Sequence, residues 1–473
     1  LLVLVLLMVA CTVPGPATLP AFPVPTLDSN DADALCRTVD AAWGHDWPGV
    51  IAALEALAAQ GARCSDGQPV EGKLYAAYFN HGMSLEAAGQ TSAAIIAYGA
   101  ALALNPDGVE AIRALRAHDV FEPPPLPACT PDEVEAAYAA LPDYVPSAMR
   151  DFVRAAGDQL TIDGEPFVVR GVNYYPARHP WQRFLTETDP ATLQFELDVL
   201  REAGFNTLRV FAWYGALFDC PGTPDMIVPV AEAVARLDAV IGEAAARGLR
   251  LIVTLHDLPD LLTRPLYDNL PHVQAQTAWL VARYADEAAI LAWDLRNEGD
   301  IDYLPVGDLG GDFSREAVLG WLADTAACGR AVDGNHLLTA GWNRDAEATA
   351  PFVDVVSFHH WGDADTLRDR VESLRGTVSA PLLLEEFGYS TLLVIDEMEQ
   401  ARLLASTAEM AEAAGMAGWL AWTAFDFPAE VACVPPGCPG QDNVNLHFGL
   451  WTADYEPRPA VEALRRLLLE DAS

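Results

Sequence analysis

The stretch ILAWDLRNEGD, residues 290–300, contains the pattern on which the fold prediction rests. It begins as a short apolar run, which is typical of a strand buried on both faces of a parallel sheet. The run ends in Asn297 and Glu298, an amide and a carboxylate side by side. Polar side chains at the end of a buried strand indicate a site at the rim of a sheet, so the ends of the other apolar runs become informative.

Seven similar apolar runs lie before and after this one, and together they predict an eight-stranded sheet. The predicted strands cover residues 167–173, 206–211, 250–256, 290–297, 337–341, 353–358, 381–386 and 417–423. Helical patterns separate most of them, at residues 229–247, 273–285, 314–333 and 397–414, and a last helix is predicted at 458–470. Eight strand–helix units predict an α/β fold of the (β/α)8 barrel type. A doubly wound open sheet is the alternative, but it normally has fewer strands, and no phosphate-binding glycine loop follows the first strand.

The residues at the strand ends share one chemistry, because they are carboxylates, amides, histidines and aromatic rings. In chain order they are Asn173-Tyr174-Tyr175, Arg209 with Trp213-Tyr214, His256-Asp257, Asn297-Glu298, Trp342-Asn343, His359-His360-Trp361, Glu385-Glu386 and Trp422. The carboxyl ends of all barrel strands meet at one mouth. Two carboxylates on nearly opposite strands are what cleavage of a glycosidic bond requires, and tryptophan rings fit the apolar face of a sugar. The pattern implies no metal and no organic cofactor.

Seven motifs make residues 160–470 resemble a clan A glycoside hydrolase, most closely family 5. The motifs are FVVRGVNYY, NTLRVFAWYG, ILAWDLRNE, DVVSFHHW, PLLLEEFG, GWLAWTAFDF and HFGLWTADYEPRPA, in this order along the chain. The resemblance implies a (β/α)8 barrel and a β-glycosidase that retains the configuration of the anomeric carbon.

The resemblance also implies the two catalytic residues. It makes Glu298 the general acid/base, with Asn297 binding the 2-hydroxyl of the sugar. It places the nucleophile directly before an aromatic–glycine pair, which selects Glu386. Strand alternation puts Glu385 and Glu386 on opposite faces, but both faces are apolar here, so periodicity alone does not choose between them. With Glu386 as nucleophile, we expect Glu385 to point toward the helices or the next loop.

Further substrate-binding residues are implied at the other strand ends. Arg209 matches the family arginine that keeps the nucleophile ionised, because a nearby cation lowers a carboxylate pKa. Trp422 matches the floor of the sugar site, with core packing as the alternative. The remaining candidates are His256, His359, Trp361, Trp213, Trp342 and Tyr174. A histidine or tryptophan at a strand end is often structural, so each of these also has a packing interpretation.

Two positions depart from the family pattern. Trp361 stands where the family often has a tyrosine that hydrogen-bonds the nucleophile, and an indole can only donate. Gly299 replaces the proline often found after the Asn-Glu pair, which predicts a looser loop. Asp294 and Arg296 either pair beneath Glu298 or serve as structure inside the barrel, and the second interpretation is favoured.

The residues before the barrel predict an exported protein with a separate helical domain. Residues 1–11 end in Met8-Val9-Ala10-Cys11, which resembles a bacterial lipobox with Cys11 as the lipidated residue; a simple cleaved signal is the alternative. Residues 12–30 are predicted to be a tether. Residues 31–118 form a helical domain, and its segment 75–108 resembles a tetratricopeptide repeat. A linker at 119–150 then leads to the hydrolase domain at 151–473.

Charge and cysteine content limit the partners and the compartment. The formal net charge is −39, which argues against nucleic acids or anionic membranes as partners and leaves a lipid as the only membrane attachment. Eight cysteines in an exported chain predict disulfides. Cys433–Cys438 and Cys36–Cys64 are the candidate pairs, Cys129–Cys220 is a weaker one, and Cys328 is predicted to be a buried thiol.

The sequence therefore predicts a secreted retaining glycosidase, anchored in a bacterial cell envelope, that acts on β-mannan or a β-1,4-glucan by double displacement. Its loops at 257–272, 299–313 and 425–449 should shape the cleft, and the last of them should wall one end. Two alternatives stay open: a non-catalytic glycan-binding barrel, or a cell-surface scaffold whose helical repeats bind a protein partner.

Overall fold

The computed structural model describes residues 31–64, 69–223, 226–268, 271–306, 310–392, 396–432 and 442–469. The predicted lipobox with Cys11, the tether at 12–30 and the Cys433–Cys438 pair lie outside these residues. Within them, no helix combines the length and the apolar character needed to cross a membrane. The chain divides into two compact units, the first reaching Pro124 and including Leu261–Arg264, the second holding the remaining described residues.

The first unit is built from helices alone among its described residues. They are α1 (Ala32–Ala42), α2 (Trp47–Ala59), α3 (Val70–Ala87), α4 (Thr91–Leu104) and α5 (Val109–Ala117). Helix α3 packs on α4, and Gly82 makes the close approach, because a Cβ there would lie 2.5 Å from the Tyr98 ring. A disulfide joins Cys36 of α1 to Cys64. The helices agree with the predicted positions, while their identity as tetratricopeptide repeats stays a prediction.

The second unit begins with one helix and a small antiparallel sheet. The helix is α6 (Pro131–Ala140), and the strands are β1 (Val153–Ala156), β2 (Gln159–Ile162) and β3 (Glu165–Phe167). Asp163 and Gly164 have positive φ values of 50° and 83°, as a two-residue hairpin turn requires, and they join β2 to β3. A second disulfide links Cys129 to Cys220.

The rest of the second unit alternates strands with helices. In chain order the elements are β4 (Val169–Asn173), α7 (Arg183–Glu187), α8 (Pro190–Ala203), β5 (Thr207–Phe211), α9 (Tyr214–Leu217), β6 (Phe218–Asp219), β7 (Val228–Pro229), α10 (Ala231–Ala246), β8 (Arg250–Thr254), α11 (Pro271–Arg283), β9 (Ile290–Asp294), α12 (Arg315–Val332), β10 (Leu337–Thr339), β11 (Val356–His359), α13 (Ala364–Arg375), β12 (Leu382–Phe387), α14 (Glu397–Ala413), β13 (Gly418–Ala421) and α15 (Pro459–Leu469).

Eight of these strands form a parallel barrel, and the predicted fold is confirmed. The hydrogen-bonded order is β10-β9-β8-β5-β4-β13-β12-β11, and a single bridge between Trp342 and Phe358 nearly closes the ring between β10 and β11. The amino-terminal half of the barrel is filled by apolar side chains, among them Val169, Ile252, Ala292 and Leu383. Polar side chains fill the carboxyl-terminal half, and the candidate site lies there.

Candidate active site

Glu298 is held in position by the turn that follows β9. Its backbone has a positive φ of 46°, and its N–H donates to the Gly341 carbonyl at 2.7 Å. A 3-10 helix, Gly299–Asp302, begins directly after it. The buried Asp300 carboxylate in that helix accepts the N–H groups of Asn343, Arg344 and Asp345 at 3.0, 2.5 and 2.8 Å. The β9 and β10 loops are therefore tied together beneath Glu298.

The prediction of a looser loop at Gly299 is wrong. Gly299 is buried at the start of the 3-10 helix, and a Cβ there would lie 2.8 Å from Cγ of Arg296 and 2.9 Å from Nε1 of Trp342. The glycine thus permits a close approach to two buried side chains. Because Gly299 has no side chain, Arg296 and Trp342 can pack closely against the turn that carries Glu298.

Glu298 and Glu386 face each other across the mouth of the barrel, with His359 between them. One carboxylate oxygen of each and a ring nitrogen of His359 all lie within 4.8 Å of one another. His359 Nδ1 is 2.9 Å from Glu298 and 3.5 Å from Glu386. Asn343 also approaches Glu298, at 3.4 Å. The two carboxylates predicted from strands four and seven are therefore brought together.

A β-bulge in β12 changes the predicted orientation of Glu385. Phe358 of β11 pairs with Leu384, but the next residue, His359, pairs with Glu386, so Glu385 is an extra residue in β12. Such a residue interrupts the alternation of faces. Glu385 lies fully buried inside the barrel, where Ser357 Oγ donates to it at 2.7 Å. The expectation that it points toward the helices or the next loop is wrong.

Arg209 is the cation on which the buried carboxylates converge. It is fully buried on β5, forms a short ion pair with Glu386, and bonds Asp294 at 2.6 Å. Its guanidinium also donates to the Asn297 side-chain oxygen at 2.8 Å. Asp294 does not pair with Arg296, which instead bonds Asp302 at 2.9 Å. Both Asp294 and Arg296 are buried, as the structural interpretation predicted.

The pKa values of His359 and Glu386 are raised, whereas the pKa of Glu298 is lowered. Burial acts to lower the pKa of His359, but the negative charge of Glu386 and the hydrogen bond to Glu298 outweigh it and raise that pKa to about 9. Burial acts to raise the pKa of Glu298, but the bonds from His359 and Trp361 leave it lowered. Burial raises the pKa of Glu386 against the opposing effect of His359 and Arg209.

These directions differ from the predicted split, in which Glu298 is the protonated group beside an ionised Glu386. The raised pKa of His359 and the lowered pKa of Glu298 favour a proton on His359, between the two carboxylates. The three side chains also have the spacing of a metal site. A protonated imidazole is not a metal ligand, so a proton held on His359 by the two carboxylates would compete with a metal ion at this position.

A cleft of about 460 Å³ opens above the pair. Five of the predicted residues line it: Asn297, Glu298, Trp361, Glu386 and Trp422. Trp361 is the most open of the predicted aromatic side chains, at 42% exposure, and its ring meets Phe448 at 5.8 Å. Asn297 Nδ2 donates to Asp257 at 2.9 Å, which fixes the amide at the cleft floor.

Six predicted binding residues lie outside the cleft lining. Two of them, Arg209 and His359, contact the carboxylate pair, and the other four lie farther from it. Tyr174 is fully buried and donates to Glu196, and Trp342 is fully buried against Gly299. Trp213 donates to the Tyr175 hydroxyl. His256 is buried against Tyr214 and Trp321, and burial lowers its pKa to about 3. These side chains support the residues that line the cleft, and direct contact with a ligand is no longer expected of them.

Other lining residues were not predicted as binding residues. They are Trp181, Asp257, Leu258, Ala432, Asn443, Asn445, Leu446 and Phe448. Asp257 ends the third strand beside His256, where the strand-end pattern could have selected it. Five of these residues, Ala432, Asn443, Asn445, Leu446 and Phe448, come from the described part of the loop at 425–449 that was predicted to wall the cleft. Trp181, whose indole donates to the Ala432 carbonyl, lies in a loop without any periodic signal.

Comparison with known proteins gives a family and several relatives. The family model described as Cellulase (glycosyl hydrolase family 5) matches residues 160–425. Mannan endo-1,4-beta-mannosidase F of Aspergillus fumigatus is 27% identical over 226 residues, 42% of this chain and 48% of that protein. Putative mannan endo-1,4-beta-mannosidase 9 of Oryza sativa subsp. japonica is 25% identical over 50% of this chain and 71% of its own length. The chain spans about half the length of the first curated relatives it matches.

Solved structures share the fold at lower identity. A GH5_18 protein from Streptomyces cattleya, in complex with Manb1-4GlcNAc, matches with a TM-score of 0.54 at 20% identity, over 63% of this chain and 79% of that one. The endo-1,4-beta-mannanase from Rhizomucor miehei matches with a TM-score of 0.51 at 18% identity, over 67% of this chain and 99% of that one. The family model covers more than half of the chain, on the strands that carry the carboxylate pair. The chain therefore belongs to glycosyl hydrolase family 5.

Proposed function

We propose that the protein is a retaining β-glycoside hydrolase, with Glu386 as nucleophile and Glu298 as general acid/base. The observation that carries the proposal is the separation of the two carboxylates, whose nearest oxygens lie within 4.8 Å. Retaining glycosidases hold their carboxyl groups about 5–5.5 Å apart, whereas inverting enzymes need about 6.5–9.5 Å to admit a water molecule. A gap this narrow favours direct attack by a carboxylate.

The substrate class proposed is β-1,4-linked mannan or its oligosaccharides. The similarity to proteins named mannan endo-1,4-beta-mannosidase supports mannan over a β-1,4-glucan. The cleft supports a neutral glycan, because Trp361 and Trp422 offer rings for stacking and Asn297 offers an amide. Asn297 receives a bond from Arg209 and donates one to Asp257, so its amide is oriented before a sugar arrives.

The proposed reaction starts with the proton on His359. When a sugar enters, this proton passes from His359 Nδ1 to Glu298, 2.9 Å away, and Glu298 gives it to the departing glycosidic oxygen. Glu386 attacks the anomeric carbon and forms a glycosyl-enzyme. Glu298 then takes a proton from water, and the hydroxide releases the sugar from Glu386. Arg209 supports this cycle because its charge stabilises Glu386 as a carboxylate each time the sugar leaves.

Hydrolysis of a glycan panel tests the proposal. The panel contains soluble β-mannan, carboxymethyl-cellulose, mixed-linkage glucan and aryl β-glycosides, and the variants are Glu298→Ala and Glu386→Ala. We expect cleavage of β-mannan, a loss of about 10²–10⁴-fold or more in kcat for both variants, and a product whose first-formed anomer is β by NMR. Glu232→Ala, at a side chain 88% exposed on α10, is the control and should leave the rate unchanged.

Three outcomes would reject the proposal in different ways. A first-formed α-anomer would reject retention. Full activity of either variant would reject the assigned roles. Binding of β-mannan without any cleavage would support the glycan-binding alternative instead.

The compartment and the domain layout are part of the same proposal. We propose that the protein is secreted, with a helical domain at 31–118, a linker at 119–150 and the hydrolase domain at 151–473. The disulfides Cys36–Cys64 and Cys129–Cys220 support an oxidising compartment, since such bonds are rare in the cytosol. A lipid on Cys11 and a partner of the helical domain remain predictions.

A further inference from the structure

Glu385 is a buried carboxyl group directly beside the nucleophile, and the proposed reaction does not use it. The bulge in β12 turns it into the barrel beside Glu386. Its side chain is fully buried, and Ser357 Oγ donates to it at 2.7 Å. Thr339 in turn donates to Ser357 at 2.6 Å, so a row of two hydroxyl groups fixes the carboxyl from below.

Glu385 lies against both cations of the site. Its Oε1 is 3.7 Å from Arg209 Nε, and this oxygen has no hydrogen-bond partner among the described residues. His359 Nε2 is also buried without a hydrogen-bond partner there. Both side chains pack against Gly341, where a Cβ would overlap Oε2 of Glu385 and approach His359 Nε2 to 2.8 Å. A residue with no side chain at this position therefore lets the carboxyl and the ring lie close to each other.

The His359 ring therefore has a carboxylate on each side. Nδ1 bonds Glu298 in the cleft, and Nε2 faces Glu385 in the barrel interior. On the basis of the proposed function, we propose that Glu385 is a positioning residue that acts on the catalytic pair through His359 and Arg209. Its charge sets how firmly the ring holds the proton that Glu298 needs.

The titration of Glu385 gives this role a direction. Burial and the negative charge of Asp294 raise its pKa, against the opposing effects of Arg209, His359 and Ser357, to about 7. The other carboxyl groups that face these two cations are Glu386 and Glu298 at His359, and Glu386 and Asp294 at Arg209. Glu385 therefore stays neutral to higher pH than an exposed glutamate, and it becomes an anion as the pH rises through this raised pKa. An anion beside the Glu298–His359 pair keeps that pair protonated to higher pH.

The variant Glu385→Gln tests this directly, because the amide keeps the shape and removes the negative charge. We expect kcat/KM at pH 5 within about threefold of wild type, since Glu385 is already neutral there. The acid limb of the pH profile should be unmoved. The alkaline limb should move to lower pH by about one unit, because the pair loses the anion that retained its proton.

Glu196→Gln is the matched control. Glu196 is also fully buried with a pKa raised by burial to about 7, but it bonds Tyr174 and Tyr455 outside the cleft. Its variant should leave both limbs in place. An unmoved alkaline limb in Glu385→Gln, or an equal shift in Glu196→Gln, would overturn the proposal, because a merely structural role lowers the rate at every pH alike.

A second measurement does not depend on turnover. The ring signal of His359, assigned by its loss in His359→Ala, is followed by NMR against pH in wild type and in Glu385→Gln. We expect the titration of His359 to move to lower pH in the variant, and an unchanged titration would overturn the inference even if a substrate is hydrolysed. If wild type hydrolyses no glycan, the proposed function fails, but this titration still decides the role of Glu385.

Ser357→Ala covers the case in which Glu385→Gln does not fold. The Ser357 hydroxyl lowers the pKa of Glu385, so its removal keeps Glu385 neutral over a wider pH range. The alkaline limb and the His359 titration should again move to lower pH, by less than in Glu385→Gln. A move to higher pH would contradict the proposal.

Discussion

At the scale of single residues, the main feature is that two side chains, His359 and Trp361, donate hydrogen bonds to Glu298. A general acid works best with a pKa near the working pH, and burial in the cleft acts to raise the pKa of this carboxyl. His359 and Trp361 counteract burial and leave the pKa lowered. A sugar that displaces one of these donors would return the proton to Glu298 at the moment it is needed.

The variant Trp361→Phe tests this balance. It keeps an aromatic ring in the cleft but removes the indole N–H, so the pKa of Glu298 should rise. A group with a raised pKa stays protonated to higher pH, and the alkaline limb of kcat/KM should move up by about half a unit. Phe448→Leu, which changes the neighbouring ring without touching a donor, should change KM only. If the alkaline limb of kcat/KM in Trp361→Phe stays at the same pH or moves to lower pH, the indole N–H does not lower the pKa of Glu298.

At the scale of elements, the turn after β9 and the bulge in β12 place the two carboxylates. Apolar runs predicted the barrel strands because buried parallel strands have no polar face. The bulge was not predictable from the sequence, because the apolar run LLLEEF does not indicate whether β12 pairs regularly or with one extra residue. The extra residue is visible only in the pairing of β12 with β11, where His359 lies opposite Glu386. Trp181 was not predictable either, because loops carry no period. Asp257 was visible at a strand end, but the pattern gave no reason to prefer it over His256.

The variant Gly299→Ala tests the tight turn. The new Cβ would press on Arg296 and on the buried Trp342 ring, and overpacking of this kind costs about 1–3 kcal/mol. The midpoint of urea unfolding should fall, and kcat should fall with it because Glu298 is displaced. Gly320→Ala in α12 is the control: a Cβ there meets nothing within 4 Å, and alanine favours a helix. Equal stability of the two variants would show that the turn accommodates a methyl group at residue 299 without strain.

At the scale of the whole molecule, the candidate active site lies in the second unit, and the first unit is a separate helical body. Every residue that lines the cleft belongs to the second unit, and the first unit has its own core around Leu54 and Ala77. Several other buried residues of this unit are alanines, among them Ala94, Ala97 and Ala101, and each of them buries little apolar area. The Cys36–Cys64 bond closes this core covalently.

Removal of that bond by Cys36→Ala with Cys64→Ala tests the separation. A loop of 28 residues contributes about 4 kcal/mol to stability in the chain-entropy model. Amide hydrogen exchange should therefore speed up in α1–α3, while the barrel strands and the rate of glycan hydrolysis stay unchanged. Cys328→Ala, at the free thiol of α12, should change neither. Loss of hydrolysis in the double variant would show that the barrel depends on the helices.

The extra residue in β12 also matters for transferring catalytic assignments between relatives. Glu385 and Glu386 are adjacent, buried and both turned into the barrel, so an alignment shifted by one position satisfies the same burial pattern. Such a shift would exchange a nucleophile for its neighbour without any visible gap. Pairing with the preceding strand, where His359 stands opposite Glu386, is the reference point by which related chains can be aligned correctly.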